Sequence, residues 1–275
     1  MKLHYFPTPE AANTLSTDEL RERFMISGLV QPGAVTAHYT DLDRMIVGVA
    51  TPTTSALTLP NAKETGTSFF LERREIGILN IGGAGTIKVA GQSYAVGNLD
   101  CLYIGLGEKD VSFEPAADGQ PPQFFFISTP AHAKHPTTLV RRADVSTPPI
   151  GDPAKANRRK INKLIHPDGV KSCQLVMGFT EFEPGSVWNT MPTHTHSRRT
   201  EIYLYFDLND NVVFHFMGQP DKTRHLVIRD REAILSPSWS IHCGCGTGAY
   251  RFIWAMGGDN QVFSDMDAVP MTTLK

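Results

Sequence analysis

This sequence contains no long apolar run. Nothing in it approaches the roughly 18 residues needed to span a bilayer. The opening residues, Met1-Lys-Leu-His-Tyr-Phe-Pro, carry no apolar core of a secretory signal. Both absences predict a cytoplasmic protein with no membrane partner. Cysteine is scarce: Cys101, Cys173, Cys243 and Cys245 contain no CxxC pair. That spacing excludes a disulfide framework and a cysteine-based zinc finger, and leaves reduced thiols as the simplest state. Cys243 beside His242 reads as small buried filler. Charge of one sign is also missing. The net charge is −2 and the densest basic spot is Arg158-Arg159-Lys160. Three basic residues make a poor nucleic-acid surface but a workable anion-binding spot. No helix-turn-helix stretch or basic domain is present, so a DNA-binding regulator is disfavoured.

What is present is a soluble-type composition in a chain of 275 residues, enough for one large β-rich unit or two fused ones. Ser16-Thr-Asp-Glu19 is a capping box ahead of Leu20-Arg-Glu-Arg-Phe24, which predicts a short helix. The stretch His38 to Ala50 reads as a strand or two around a polar turn. From about residue 67 to 128 short apolar runs alternate with Gly82-Gly83, Gly91-Gln92, Gly97-Asn98 and Gly105-Leu-Gly107, the punctuation of a sandwich or barrel. Residues 115–122 read as an exposed loop, and 128–158 as the link between halves. In the second half the strand candidates are 172–183, 199–208, 211–217, 224–228, 232–236 and 249–256. A faint internal repeat sets Leu71-Glu-Arg-Arg-Glu75-Ile76-Gly-Ile-Leu beside Ser197-Arg-Arg-Thr-Glu201-Ile202-Tyr-Leu-Tyr, with Ser68 and Phe70 near the places of two histidines. The expectation is an all-β fold of two related jelly-roll-type barrels with a few short helices. The halves divide as 1–150 and 151–275, with a metal site only in the second.

The chemistry concentrates in Met191-Pro-Thr-His-Thr-His-Ser-Arg-Arg-Thr-Glu201 and in Pro237-Ser-Trp-Ser-Ile-His242. In a strand, side chains at i and i+2 share a face, so His194 and His196 can aim two imidazoles at one point. A turn through Ser197-Arg198-Arg199 lets Glu201 face the same side, and His242 arrives on a returning strand. Three neutral imidazoles and a carboxylate suit zinc, iron, manganese or nickel. Nitrogen and oxygen ligands leave room for a water or substrate oxygen, which serves hydrolysis, dioxygen chemistry or aldose–ketose isomerisation equally. Arg158, Arg159, Lys163, Arg198 and Arg199 add positive charge beside the ligands, some of it able to clamp a carboxylate. Tyr203 and Tyr205 share the parity of Glu201 and are expected inside the barrel. His215 reads as a core residue with its hydrogen bonds met. Asp259 and Asn260 read as pocket rim or plain loop.

The element HxHx4E followed by PxxxxH resembles the cupin superfamily, although Trp239 stands where that pattern often has glycine. A closer resemblance runs from about residue 15 to 270. Asn157-Arg-Arg-Lys-Ile-Asn-Lys, His166 to Gly178, Glu183 to Pro192, Pro237 to His242 and Phe252 to Asn260 are similar to the 5-dehydro-4-deoxy-D-glucuronate isomerase family. In the first half, Asp43-Arg-Met, Arg74-Glu-Ile-Gly, Asn80-Ile-Gly-Gly and Pro130-Ala-His fit the same family. The resemblance implies a two-barrel cupin, one Zn2+ per subunit on His194, His196, Glu201 and His242, and a homo-oligomer, commonly a hexamer. It also implies the reaction. The carbonyl of 4-deoxy-L-threo-5-hexosulose uronate moves from C1 to C2 through a metal-stabilised cis-enediolate, giving 3-deoxy-D-glycero-2,5-hexodiulosonate in pectin and uronate breakdown. A base must carry the proton, with His166 and Lys163 as candidates. Arg158, Lys163 and Arg199 are the candidates for a carboxylate clamp, and Gln174 for a further substrate contact. The competing functions are an iron-dependent cupin dioxygenase and a non-catalytic sugar-binding cupin.

Overall fold

Short apolar runs broken by glycine fold into strands along the chain, and among the described residues two short α-helices form, Pro9–Ala12 and Thr17–Phe24. The computed structural model describes residues 1–116, 119–145 and 147–275. Of the loop expected at 115–122, residues 117 and 118 therefore lie outside the described residues, as does 146 of the expected link. The capping box forms with both arms. Ser16 Oγ accepts from the Glu19 N–H, and the Glu19 carboxylate accepts from the Ser16 N–H at 2.7 Å. The helix it opens buries Leu20 and Phe24, and Phe24 meets Trp239 edge-on.

The chain divides into two compact units. One holds Met1–His4, Gly28–Ser146 and Leu164–Val176; the other holds Tyr5–Ser27, Thr147–Lys163 and Met177–Lys275. In the first, a large sheet runs Lys2–His4, Val35–Thr40, Ile46–Ala50, Phe124–Pro130, Arg74–Asn80, Cys101–Ile104, Thr138–Val140. A small one runs Leu57–Thr58, Ser112–Glu114, Gly85–Val89, Gln92–Val96. Its core is aliphatic and aromatic: Ile76, Ile78 and Leu102 lie with Phe113, Phe124 and Phe126 at no measurable exposure. Each such side chain contributes about 2–3 kcal/mol on burial.

In the second unit the large sheet runs Arg159–Ile165, Val176–Phe182, Arg251–Gly258, Arg199–Phe206, Ala233–Ser236, Met25–Ile26. The small one runs Trp188–Asn189, Ile241–Gly246, Val213–Gly218, Arg224–Ile228, and a further pair joins His194–Thr195 to Asp267–Ala268. Apart from edge strands, the two units place their strands in the same succession. The faint repeat in the sequence is thus a repeat of topology: Arg74–Asn80 and Arg199–Phe206 occupy the same place, but Glu75 points away from the core that Ile76 and Ile78 enter, toward Tyr103 and Thr129, whereas Glu201 faces the barrel interior. Phe70, near the place of a histidine, packs edge-on against Phe126 instead. The fold is the all-β, double-barrel cupin type expected.

A glycine in Ile46–Ala50 and one in Val176–Phe182 have the same job. A Cβ at Gly48 would collide with the Phe126 ring and Thr36 O; one at Gly178 would collide with the Trp254 indole and Asn162 O. Each glycine lets an aromatic ring from the neighbouring strand lie across it. Gly178→Ala is therefore expected to lower stability by about 1–3 kcal/mol, the cost of overpacking. Urea denaturation read by tryptophan emission checks this. An unshifted midpoint would show that the ring yields freely.

Candidate metal centre

The strand Arg199–Phe206 is buried along its whole length between Arg251–Gly258 and Ala233–Ser236. Alternation along it sends Glu201, Tyr203 and Tyr205 to the barrel interior. His242 enters from Ile241–Gly246, opposite Met217. His194 lies on the two-residue strand paired to Asp267–Ala268, and His196 follows at the turn that leads into Arg199. The structure brings these four side chains together, their ligand atoms all within 4.8 Å of one another. His194 Nε2 is 3.1 Å from His196 Nε2 and 3.2 Å from His242 Nε2. Glu201 Oε2 is 3.0 Å from His196 Nε2 and 3.1 Å from His242 Nε2.

The outer face of each ring tells which nitrogen is free. His196 Nδ1 lies 2.9 Å from Asp265 O and 3.0 Å from Arg199 Nη2, while Nδ1 of His194 and of His242 turn to Pro192 O and Ser240 O at 3.4 and 3.3 Å. With the ring protons on Nδ1, facing these carbonyls, three Nε2 lone pairs would converge on one point with a carboxylate oxygen. Lone pairs that close repel unless a cation lies between them. Backbone carbonyls that fix ring orientation are what a metal-binding histidine requires. Separations of 3.0–3.2 Å are also about those of ligands sharing one ion at bond lengths near 2.0–2.2 Å. The group fits a divalent ion, and among the described residues it is the one cluster of three or more such side chains that does.

Electrostatics agree. Burial alone would raise the Glu201 carboxyl, but the adjoining His242 and His196 outweigh it and hold the group well below the usual carboxylate range. Burial, then His242, pushes His194 down to about 4, so its imidazole is neutral at pH 7. Burial, then the Glu201 charge, raises Tyr203 far above its ordinary value, and its phenol keeps its proton.

Three of the four, His194, His196 and Glu201, border a cavity of about 310 Å³. Its walls are mostly apolar, with Ile161, Phe252, Trp254, Met256 and Phe263; Thr180, Thr190, Tyr203, Ser264 and Arg159 supply polar atoms. Tyr203 Oη sits 2.9 Å from Thr190 Oγ1. Deeper in the barrel, Tyr205 Oη meets His215 Nδ1 at 2.8 Å and takes a hydrogen bond from Asn189 Nδ2 at 3.2 Å. Both tyrosines point inward as their parity predicts. His215 is a core residue, but Nε2 of its ring has no partner, so it is only half satisfied.

The remaining residues expected at the site are distributed differently. Arg199 is buried, donating to Val262 O at 2.8 Å and Asp265 O at 2.6 Å. It shares the Asp265 carbonyl with His196 and so braces a ligand. Arg158 turns the other way and pairs with Glu183 at 2.9 Å. Arg198 is held by Asp265 and Asp267 at 2.6 and 2.9 Å. Lys163 Nζ sits 4.1 Å above the Phe263 ring, outside the cavity lining. His166 and Gln174 belong to the first unit. Asn260 donates to the Asp265 carboxylate at 2.6 Å, a rim bond that steadies the loop behind His196. Cys243 is buried filler whose thiol burial pushes up. The expectations missed Asp265 and the aromatic wall of Trp254 and Phe263. They also left Arg159 in a general pool of charge. Recognising Arg159–Ile165 as a strand would have placed Arg159 and Ile161 on one face and Arg158 on the other.

Fold and site together define a class: a double-barrel cupin-type protein whose C-terminal barrel holds three imidazoles and one carboxylate able to bind a metal ion. The chain belongs to the KduI/IolB family, which matches residues 29–270. A relative from Opitutus terrae, 66% identical over the whole of both chains, is named 4-deoxy-L-threo-5-hexosulose-uronate ketol-isomerase. One from Kineococcus radiotolerans, 49% identical over the whole of both chains, carries the same name. Among solved structures, an IolB-like protein from Salmonella typhimurium LT2 superposes with a TM-score of 0.70. It is 13% identical and covers 86% of this chain and 94% of that one, which is a likeness of fold. No described helix is long and apolar enough to cross a membrane.

Proposed function

We propose that this chain is a metal-dependent ketol-isomerase that converts 4-deoxy-L-threo-5-hexosulose uronate to 3-deoxy-D-glycero-2,5-hexodiulosonate. The observation that carries the reading is the His194, His196, Glu201 and His242 cluster, set in a cavity of a chain whose full-length relatives bear that enzyme's name. Zinc is the ion proposed, since it favours imidazole and carboxylate ligands and needs no redox change here. A bound divalent ion supplies positive charge that polarises a ketol's carbonyl and adjacent hydroxyl oxygens.

The rest falls to the chain. Aldose–ketose exchange removes the proton at C2, returns one at C1, and passes a hydroxyl proton from O2 to O1, through an enediol. Apart from the four ligands, the described cavity lining offers no carboxylate or imidazole. Lys163 and His166 are outside it. Two oxygens are at hand for proton carriage, the Glu201 carboxylate and Tyr203 Oη. The phenol, protonated and hydrogen-bonded to Thr190, donates to a substrate oxygen rather than abstracting from carbon. The apolar walls exclude water, which strengthens each such contact and shields the enediol from side reactions. The same reading places the enzyme in the cytoplasm, as a homo-oligomer, downstream of pectin breakdown.

The test is turnover of freshly prepared uronate by purified protein before and after chelation, with metal content measured in parallel. Metal-dependent appearance of the 2,5-diketo acid supports the proposal. A metal-loaded protein with no turnover sinks it, and oxygen uptake with ferrous iron would replace it with a dioxygenase.

A further inference from the structure

Five arginines lie on or beside the strands that build the cavity, and four are engaged elsewhere, Arg251 among them with Glu181 and Asp207. Arg158 pairs with Glu183, and Arg198 with Asp265 and Asp267. Arg199 is enclosed by the carbonyls of Val262 and Asp265. Arg159 differs. It lines the cavity, on the same strand face as Ile161. Its Nη1 donates to Asn157 O at 2.8 Å, and its Nη2 reaches Met191 O only at 3.5 Å. No carboxylate among the described residues meets it. A guanidinium has five N–H donors in a fixed fork, so most of its donors here are unused.

That is an unstable arrangement for a half-buried cation against apolar walls. Desolvation costs free energy that two carbonyl contacts return only in part, and it already lowers the proton affinity of the group. Arg159 is also the one permanent cation in the described lining, since its histidines are neutral ligands. A planar carboxylate matches the fork bidentately and would return the lost solvation. The long bond to Met191 O ties the guanidinium to the segment that leads to His194, so an anion held there shares a wall with the metal ligands.

We propose that Arg159 binds the substrate's carboxylate and makes the cavity selective for acidic over neutral open-chain sugars. This deepens, and rests on, the isomerase reading. Of the clamp candidates that the resemblance suggested, Arg158 and Arg199 are occupied elsewhere and Lys163 lies outside the lining.

The experiment is calorimetric titration of the metal-loaded protein with two unreactive probes. One is the uronate reduced at both carbonyls to its polyol acid; the other is the primary amide of that acid, equal in size but uncharged. The native protein is expected to bind the acid more tightly. Arg159→Met is expected to weaken the acid on the order of 10–100-fold, as for a lost charge-assisted pair, while moving the amide little. Arg159→Lys should restore part of the preference, with metal content unchanged in both variants. Equal binding of acid and amide by the native protein overturns the assignment. So does an Arg159→Met protein that weakens both probes alike. Turnover of the uronate by the same native preparation is read separately: its absence defeats the isomerase reading, whereas the probe preference alone decides the role of Arg159.

Discussion

Glu201→Gln is expected to yield a folded protein that has lost its divalent metal and about three powers of ten in uronate turnover. The amide keeps the volume of the carboxylate and removes its charge. The native carboxylate is buried and touches Nε2 of both His196 and His242. It is the only anion in a set otherwise made of neutral imidazoles, so its loss leaves a divalent charge without internal compensation. Changing residues that merely orient ligands costs about 10–100-fold in metal affinity or activity, and removing a charged ligand should cost at least that much. Lewis-acid stabilisation amounts to several kcal/mol, and about 1.4 kcal/mol is tenfold in rate, which gives the expected loss. Metal analysis, circular dichroism and turnover on one preparation check it. Full metal occupancy with native turnover would remove Glu201 from the ligand set. His242→Ala should behave alike, because its ring faces the same point from another strand.

Glu75→Ala should be among the most destabilising single changes in the chain, by about 3–5 kcal/mol, without touching the metal ligands. Glu75 is fully buried in the first unit. Its carboxylate accepts from Tyr103 Oη at 2.7 Å and Thr129 Oγ1 at 3.1 Å. It also accepts from the backbone N–H groups of Cys173, Gln174 and Leu175 at 2.6, 2.7 and 2.8 Å. Five donors thus converge on two oxygens. Alanine would strand all five away from water, and an unmet buried donor costs about 1–3 kcal/mol before relaxation. Glu75→Gln should be little better, because an amide NH2 must face donors on one side. Chemical denaturation with metal content as control checks both. A midpoint within error of the native one would mean that water reaches those amides once the carboxylate is gone.

Much of this was legible from residues alone, for physical reasons that differ by site. The metal cluster could be read because its chemistry needs particular residue types at spacings that a strand dictates, as in His194, His196 and Glu201. The helix at Thr17–Phe24 could be read because both arms of its cap are local. The strands Arg199–Phe206, Arg224–Ile228 and Ala233–Ser236 nearly match the runs expected, since their apolar stretches end at turn residues. What stayed hidden depends on long-range placement. The returning strand expected to bring His242 is there as Ile241–Gly246, but its extent stayed hidden because its Cys-Gly-Cys-Gly run has no strand signature. Residues 172–175 look like the start of a strand, yet their amides serve Glu75 and the strand begins at Val176. Arg158 and Arg159 are neighbours of equal charge, and only the pleat of their strand separates a surface ion pair from a cavity wall.

Glu75 also bears on the order in which the chain can fold as it is made. The three amides that its carboxylate accepts belong to Cys173, Gln174 and Leu175, about a hundred residues later, and the unit that contains them closes with Leu164–Val176. Residues 5–27, made first, belong with strands made last. A ribosome that has reached residue 150 has therefore produced most of the first barrel but none of the backbone that neutralises its buried carboxylate. The first unit cannot complete itself before synthesis has entered the second, and a fragment cut at the apparent midpoint would carry in its core a carboxylate short of three of its five donors.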